Sequence, residues 1–117
     1  MVSFRVDGLL IAPVSDRSRA HLRPLTRSGV PFVLVDRSIP GSGLDLVQGD
    51  SVGSALRLVQ HLLALGHRRI GMVTESREVS TSRDRVEGYL QAHRLADVPA
   101  DPELVVVGET ATDPRTG

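Results

Sequence analysis

The chain contains no cysteine and no tryptophan, and its 117 residues include only three aromatic side chains, Phe4, Phe32 and Tyr89. Without cysteine it can form neither disulfide bonds nor thiolate metal sites. With so few aromatic rings it offers little surface on which single-stranded nucleic acid could stack. Aliphatic side chains must therefore fill the core. A reducing cytosol fits this composition, although missing cysteines do not prove it.

An excess of one charge and a long apolar run are missing as well. Fourteen basic and fourteen acidic residues cancel, so the chain as a whole exerts no general electrostatic attraction on nucleic acid or anionic lipid. No apolar run approaches the roughly 20 residues that span a bilayer. The N-terminus also lacks the charged, apolar and small-residue segments of a secretory signal. We therefore expect a cytoplasmic protein that does not associate with membranes.

Two short apolar runs stand out in the first third of the chain, residues 6–12 (VDGLLIA) and residues 31–35 (PFVLV). Runs without polar alternation predict strands that are buried on both faces of a parallel sheet. Residues 16–28 between them have apolar side chains at helical spacing, and Gly29 is a typical helix stop. This order predicts a strand–helix–strand unit.

The remaining chain continues the alternation of strands and helices. The predicted elements are a weak strand at 44–47, a helix capped by Asp50 and ended by Gly66, a strand at 69–74, a helix at 80–95 and a strand at 104–107. This alternation indicates an α/β layered fold. Four or five short strands with three helices make an incomplete sheet. The chain is therefore either a small flavodoxin-like unit or part of a longer protein.

Four motifs occur in a characteristic order, VDGLLIAP, GVPFVLVDR, HLLALGHRRIGMV and STSRDRVEGYLQAH. In this order the chain resembles the ligand-binding core of the LacI/GalR family of transcriptional regulators, which has a type I periplasmic-binding-protein fold. The resemblance implies a parallel-sheet, three-layer, Rossmann-like architecture that is present here only in part. Residues 1–47 then form the late part of the N-terminal effector-binding subdomain, and residues 48–117 form the first part of the C-terminal subdomain.

The same resemblance implies a function in gene regulation rather than catalysis. In the family two subdomains close over a small effector, usually a sugar or a purine, and closure shifts the population of DNA-binding states. We therefore predict an effector-binding fragment for a sugar-like molecule. Operator DNA would be reached only through a headpiece that this chain lacks, and the complete protein would be a homodimer.

Two other functions are compatible with the same fold. A periplasmic sugar-binding protein of an ABC transporter would share the architecture but would require a signal peptide, which is not visible. A flavodoxin-like enzyme or phosphoacceptor would require a nucleophile or an acidic cluster at the strand ends, and Asp36 alone does not supply one.

The ligand site is expected beyond the carboxyl ends of the strands, as in other doubly wound sheets. Ser15 follows the first apolar run, Asp36 and Arg37 follow the second, and Thr81 and Arg85 share one face of the last helix. A carboxylate accepts hydrogen bonds from adjacent sugar hydroxyls, and a guanidinium donates to them. The family resemblance singles out Asp36 of the VDR motif and Arg85, three residues before the helix glycine, as effector contacts.

Each of these five residues also has an alternative role that needs no ligand. Arg85 would pair with Asp84, Glu87 or solvent, and Asp36 would cap the turn that follows it. The other three would brace or cap their loops: Arg37, Ser15 and Thr81.

The four histidines do not form a metal site. They lie on different predicted elements without the spacing of metal ligands: His21, His61, His67 and His93. We therefore predict neither a metal nor a cofactor.

Overall fold

The computed structural model describes residues 6–108, which divide into two compact units. The first unit runs to Gly49 and takes in Glu78–Ser80, and the second comprises Asp50–Arg77 and the chain from Thr81 onward. In chain order the strands and helices are β1 (Leu9–Ile11), α1 (Arg19–Ser28), β2 (Phe32–Val35), β3 (Leu46–Val47), α2 (Ser51–Ala64), β4 (Met72–Thr74), α3 (Ser80–Ala96) and β5 (Val105–Val107). Parallel strands alternate with helices, so the α/β class is confirmed. The assignment of residues 1–47 and 48–117 to two effector-binding subdomains stays a prediction.

The first unit is built on a three-stranded parallel sheet with the order β1-β2-β3. Leu34 on the central strand is almost fully buried and forms a core with Leu22 of α1 and with Ile39. Helix α1 ends because Gly29 adopts a left-handed backbone with φ of 77°, which glycine adopts without steric penalty. The predicted glycine stop is therefore confirmed.

The observed strands are shorter than the apolar runs that predict them. Only Leu9–Ile11 of the first run pairs with β2, and only Met72–Thr74 of the predicted strand at 69–74 pairs with β5. A strand exists only where a neighbouring strand completes its hydrogen bonds, and the apolar run does not contain that information. The start of the first predicted helix also differs, because Asp16–Ser18 forms a separate 3-10 turn before α1.

The prediction that the strands are buried on both faces is wrong for the described residues. Leu10 is 80% exposed and Val73 is 82% exposed, and Val47 and Val106 are also largely exposed. Within residues 6–108, each sheet therefore buries one face and presents apolar side chains on the other.

No helix in this described part combines the length and the hydropathy of a membrane span.

The second unit pairs β4 with β5 in parallel and packs α2 and α3 around an aliphatic core. Asp50 caps α2 as predicted, because its side chain accepts a hydrogen bond from Gly53 N at 2.9 Å. Helices α2 and α3 approach closely at Gly88. A Cβ on Gly88 would collide with the carbonyl oxygen of Val52 and would lie 2.8 Å from the Cβ of Ala55.

Tyr89 lies at the centre of this core and is 1% exposed. Its hydroxyl donates to the carbonyl oxygen of Ile70 at 2.7 Å, and its ring lies 4.3 Å from that of His93. The Nδ1 of His93 in turn donates to the carbonyl oxygen of Tyr89 at 2.8 Å. Burial raises the pKa of Tyr89, and the carboxylate of Asp101 raises it further. Tyr89 is therefore a core residue and not a platform for a ligand ring.

We expect Gly88→Ala to lower the free energy of unfolding by about 2 kcal/mol, the usual cost of overpacking, even though alanine favours helices. Gly49→Ala is the matched control, because no atom lies within 4 Å of its added Cβ. Urea denaturation followed by circular dichroism measures both variants. Equal stability of the two variants would show that α2 and α3 have room to separate.

The single tyrosine permits a direct test of its buried state. We expect phenolate absorbance to titrate with a midpoint above the ordinary pKa of about 10 in the folded chain and near 10 in concentrated urea. Because the folded pKa is raised, Tyr89 contributes its stability in full below about pH 10 and loses it as the pH rises through the folded pKa. Identical midpoints in both conditions would contradict its burial.

Candidate functional site

The loops after β1 and β2 meet at one end of the first sheet. Nη1 of Arg37 donates a hydrogen bond to the carbonyl oxygen of Val14 at 3.0 Å. This bond joins the loop that carries Ser15 to the loop that carries Asp36. The structure therefore shows the bracing role that was the alternative for Arg37, whereas its contact with a ligand stays a prediction.

Asp36 has an unusual backbone conformation directly after β2. Its φ is 71°, and Arg37 N donates to the carbonyl oxygen of Val35 at 2.8 Å across it. A two-residue hydrogen bond around a positive φ is the rare, strained form of the γ-turn. Asp36 N meanwhile donates to Val47 at 2.8 Å, which extends the β2–β3 ladder by one residue. Backbone strain of this kind concentrates at functional sites.

The carboxylate of Asp36 is exposed and makes no hydrogen bond or ion pair with any residue of the described part. The capping role considered for Asp36 would require such a bond to the following turn. Within the described part, the strained turn therefore presents a carboxylate without a partner. It lies directly before Arg37, whose guanidinium holds the loop after β1.

Ser15 caps the 3-10 turn that follows β1. Its hydroxyl accepts a hydrogen bond from Arg17 N at 3.2 Å, and the hydroxyl of Ser18 accepts from Ser15 N at 3.5 Å. This reciprocal pair is a capping box. The structure thus shows the capping alternative for Ser15, and a role in a pocket wall stays a prediction.

Helix α3 carries Thr81 and Arg85 on one face. Thr81 is 4% exposed, whereas Arg85 is exposed. The capping alternative for Thr81 is wrong, because α3 begins at Ser80 and Thr81 lies inside the helix. The predicted cleft that all five residues share stays a prediction.

The ion pair considered between Arg85 and Glu87 does not form. Glu87 instead accepts a hydrogen bond from Gln91 at 3.1 Å and pairs with Arg94 at 2.9 Å. Both hydrogen bonds lower the pKa of Glu87, and the bond from Gln91 has the larger effect. Arg85 makes no hydrogen bond or ion pair within residues 6–108, so its guanidinium is free to receive a ligand.

The loop at residues 75–81, which the sequence places at the end of a strand, includes a short segment that contacts both strand-end loops of the first unit. We call residues Glu78–Ser80 the 78–80 segment. The carbonyl oxygen of Glu78 accepts from Asp16 N at 2.9 Å, and its carboxylate pairs with Arg17 at 2.9 Å. The hydroxyl of Ser80 accepts from Ser38 N at 2.8 Å. These partners are far apart in sequence, so no local pattern marks them.

Within residues 6–108, no group of three or more His, Cys, Asp or Glu side chains is arranged to hold a metal ion. His93 is buried in the second core, and the other three histidines are exposed on separate elements.

A comparison with protein families places the chain among known folds. A family model described as "periplasmic binding proteins and sugar binding domain of LacI family" matches residues 1–112. The chain is 33% identical over 90 residues to the HTH-type transcriptional regulator GalR of Salmonella typhimurium, which covers 77% of this chain and 26% of that protein.

Two solved structures share the fold at substantial identity. A regulatory protein of the LacI family from Chloroflexus aggregans superposes with a TM-score of 0.75 and 28% identity, over 89% of this chain and 37% of that one. The transcriptional regulator CelR in complex with cellobiose superposes with a TM-score of 0.77 and 29% identity, over 90% of this chain and 32% of that one. The chain thus spans about a third of the length of these relatives.

The strain at Asp36 leads to a testable asymmetry between two exposed aspartates. We expect Asp36→Gly to raise the free energy of unfolding by about 1 kcal/mol, because glycine relieves the positive φ. Asp45→Gly, where φ is not positive, should lower it by about 0.5–1 kcal/mol through the entropy of the unfolded chain. Chemical denaturation compares the two. A loss of stability in Asp36→Gly as large as that in Asp45→Gly would rule out strain at Asp36.

Proposed function

The chain belongs to the family of periplasmic binding proteins and sugar-binding domains of LacI type, and on this premise we propose that it helps to bind a sugar-like effector in a transcriptional regulator. The relatives at 28–33% identity described above are transcriptional regulators. Because these relatives are regulators, we favour a regulator over the periplasmic component of an ABC transporter. We propose no catalytic activity for the chain.

The observation that carries this proposal is a pair of charges, on the two predicted ligand elements, that have no partner within residues 6–108. Asp36 presents a free carboxylate from a strained turn, and Arg85 presents a free guanidinium from α3. Neighbouring hydroxyls of a sugar ring donate to a carboxylate and accept from a guanidinium, and both kinds of bond are strengthened by the charge. Thr81, one turn before Arg85 and 4% exposed, carries a hydroxyl on the same helix face.

The proposed mechanism is a shift between two populations of the regulator. An effector that Asp36 and Arg85 contact together stabilises the state in which both reach it, by as much as its affinities for the two states differ. In the complete protein we propose that a separate headpiece binds operator DNA, that two copies pair, and that the regulator acts in the cytoplasm.

The affinity of this chain for a sugar should be low. The chain spans about a third of the length of its relatives, so we expect it to supply only part of the groups around an effector. We expect a dissociation constant no tighter than about 1 mM, or about −4 kcal/mol. Micromolar affinity for cellobiose or D-glucose in calorimetry would contradict this expectation.

The direct test is a titration of the 117-residue chain with cellobiose and D-glucose, followed by amide NMR. We expect selective shifts at Asp36, Arg37, Thr81 and Arg85. Arg85→Ala should weaken the binding free energy by about 1.5–3 kcal/mol, the range for hydrogen bonds to charged groups. Binding that is already weak would then no longer be detected. Arg94→Ala is the control, because Arg94 is an exposed arginine of the same helix that pairs with Glu87.

The two arginine variants separate a specific site from general effects of sugar on the protein. Selective shifts that vanish in Arg85→Ala and persist in Arg94→Ala support the proposal. Shifts spread evenly over the chain, or the same response in both variants, would exclude Arg85 from a binding site.

A further inference from the structure

The 78–80 segment contacts the first unit at both of its strand-end loops. Glu78 holds the loop after β1 through Asp16 N and Arg17, and Ser80 holds the loop after β2 through Ser38 N. The segment itself belongs to the first compact unit, although the chain on either side of it belongs to the second. It is therefore the one stretch in the described residues where the chain re-enters the first unit.

These contacts differ in strength because they differ in burial. The Arg17 and Glu78 side chains are 82% and 46% exposed, and exposed ion pairs add little to stability. Ser80 is 3% exposed, and its bond to Ser38 N is partly buried. A buried amide that loses its acceptor is not readily compensated by water. Of the side-chain contacts of the segment, we therefore expect the bond of the Ser80 hydroxyl to contribute more to stability than the Arg17–Glu78 ion pair.

We propose that Ser80 is a positioning residue for the effector site, and this inference rests on the function proposed above. Ser38 follows Asp36 and Arg37 directly, so the hydroxyl of Ser80 holds the far end of the strained turn that presents the carboxylate. The near end is held by the bond from Asp36 N to Val47. With both ends held, the backbone of the turn, and with it the direction in which the Asp36 side chain leaves the chain, is fixed before a ligand arrives, which lowers the ordering cost of binding.

Ser80 also lies next to the other half of the proposed site along the chain. It is the first residue of α3, and Thr81 follows it directly. A ligand that contacts Thr81 therefore acts on the residue directly after the one whose hydroxyl holds Ser38.

The chain offers a closely matched control for this role. Ser82 lies in the same turn of α3 and is 1% exposed, but its hydroxyl has no hydrogen-bond partner in the described part. Ser80→Ala and Ser82→Ala thus make the same chemical change at equal burial. Only the first removes a hydrogen bond, so any shared effect reports on packing alone.

The experiment combines amide hydrogen exchange with the cellobiose titration on the 117-residue chain. We expect the Ser38 amide to exchange about tenfold faster in Ser80→Ala, and the cellobiose-induced shifts of Asp36 and Arg37 to be lost. Ser82→Ala should match the wild-type chain in both readouts. Ser80→Thr, which keeps the hydroxyl, should restore both, and Ser80→Cys, with its weaker acceptor, should be intermediate.

The outcomes distinguish this inference from the function on which it rests. Unchanged Ser38 exchange in Ser80→Ala or in Ser80→Cys overturns the role of Ser80, whatever the sugar response. Faster exchange with an unaltered sugar response also overturns it, because Ser80 would then be structural only. A wild-type chain without any selective response to cellobiose or D-glucose overturns the proposed function itself, while the Ser38 exchange still reports on the bond.

Discussion

The hydrogen bond from Asp36 N to the carbonyl oxygen of Val47 is the constraint on which the candidate site depends. It keeps the chain in the sheet for one residue beyond β2, so the chain must leave the sheet within a single residue. The chain turns away at this same residue, where the backbone has a positive φ. From this turn Arg37 reaches back to Val14, and Ser38 meets the hydroxyl of Ser80. The Asp36 carboxylate remains at its apex, without a bond to any other residue of the described part.

The second unit depends on a different constraint, the close approach of two helices. Gly88 permits contact between the backbones of α2 and α3, and Tyr89, the next residue, then fills the core between them and the start of β4. A chain with so few aromatic residues has a single large ring in this core, and its hydroxyl is satisfied by Ile70. The same packing leaves Arg85, three residues before Gly88, on the exposed side of α3.

The features that could be predicted from sequence are those that neighbouring residues determine. The Asp50 cap, the left-handed Gly29 and the helices around them follow from side chains within a few positions. Strand lengths and the exposed Leu10 and Val73 could not be predicted, because they depend on which elements lie beside each strand. The bond between Ser38 and Ser80 joins residues 42 positions apart, and the positive φ of Asp36 occurs where its N–H pairs with Val47 of another strand. The sequence showed which residues could bind a ligand, but it did not show the hydrogen bonds that hold their loops in place.

The lone tyrosine has a further consequence for studies of the two units in solution. Without tryptophan, the intrinsic ultraviolet fluorescence of the chain comes almost entirely from Tyr89, which belongs to the second unit. Emission therefore follows the melting of that unit by itself, while far-ultraviolet ellipticity sums the helices of both. The chain thus carries a built-in, label-free optical reporter for one half of its architecture.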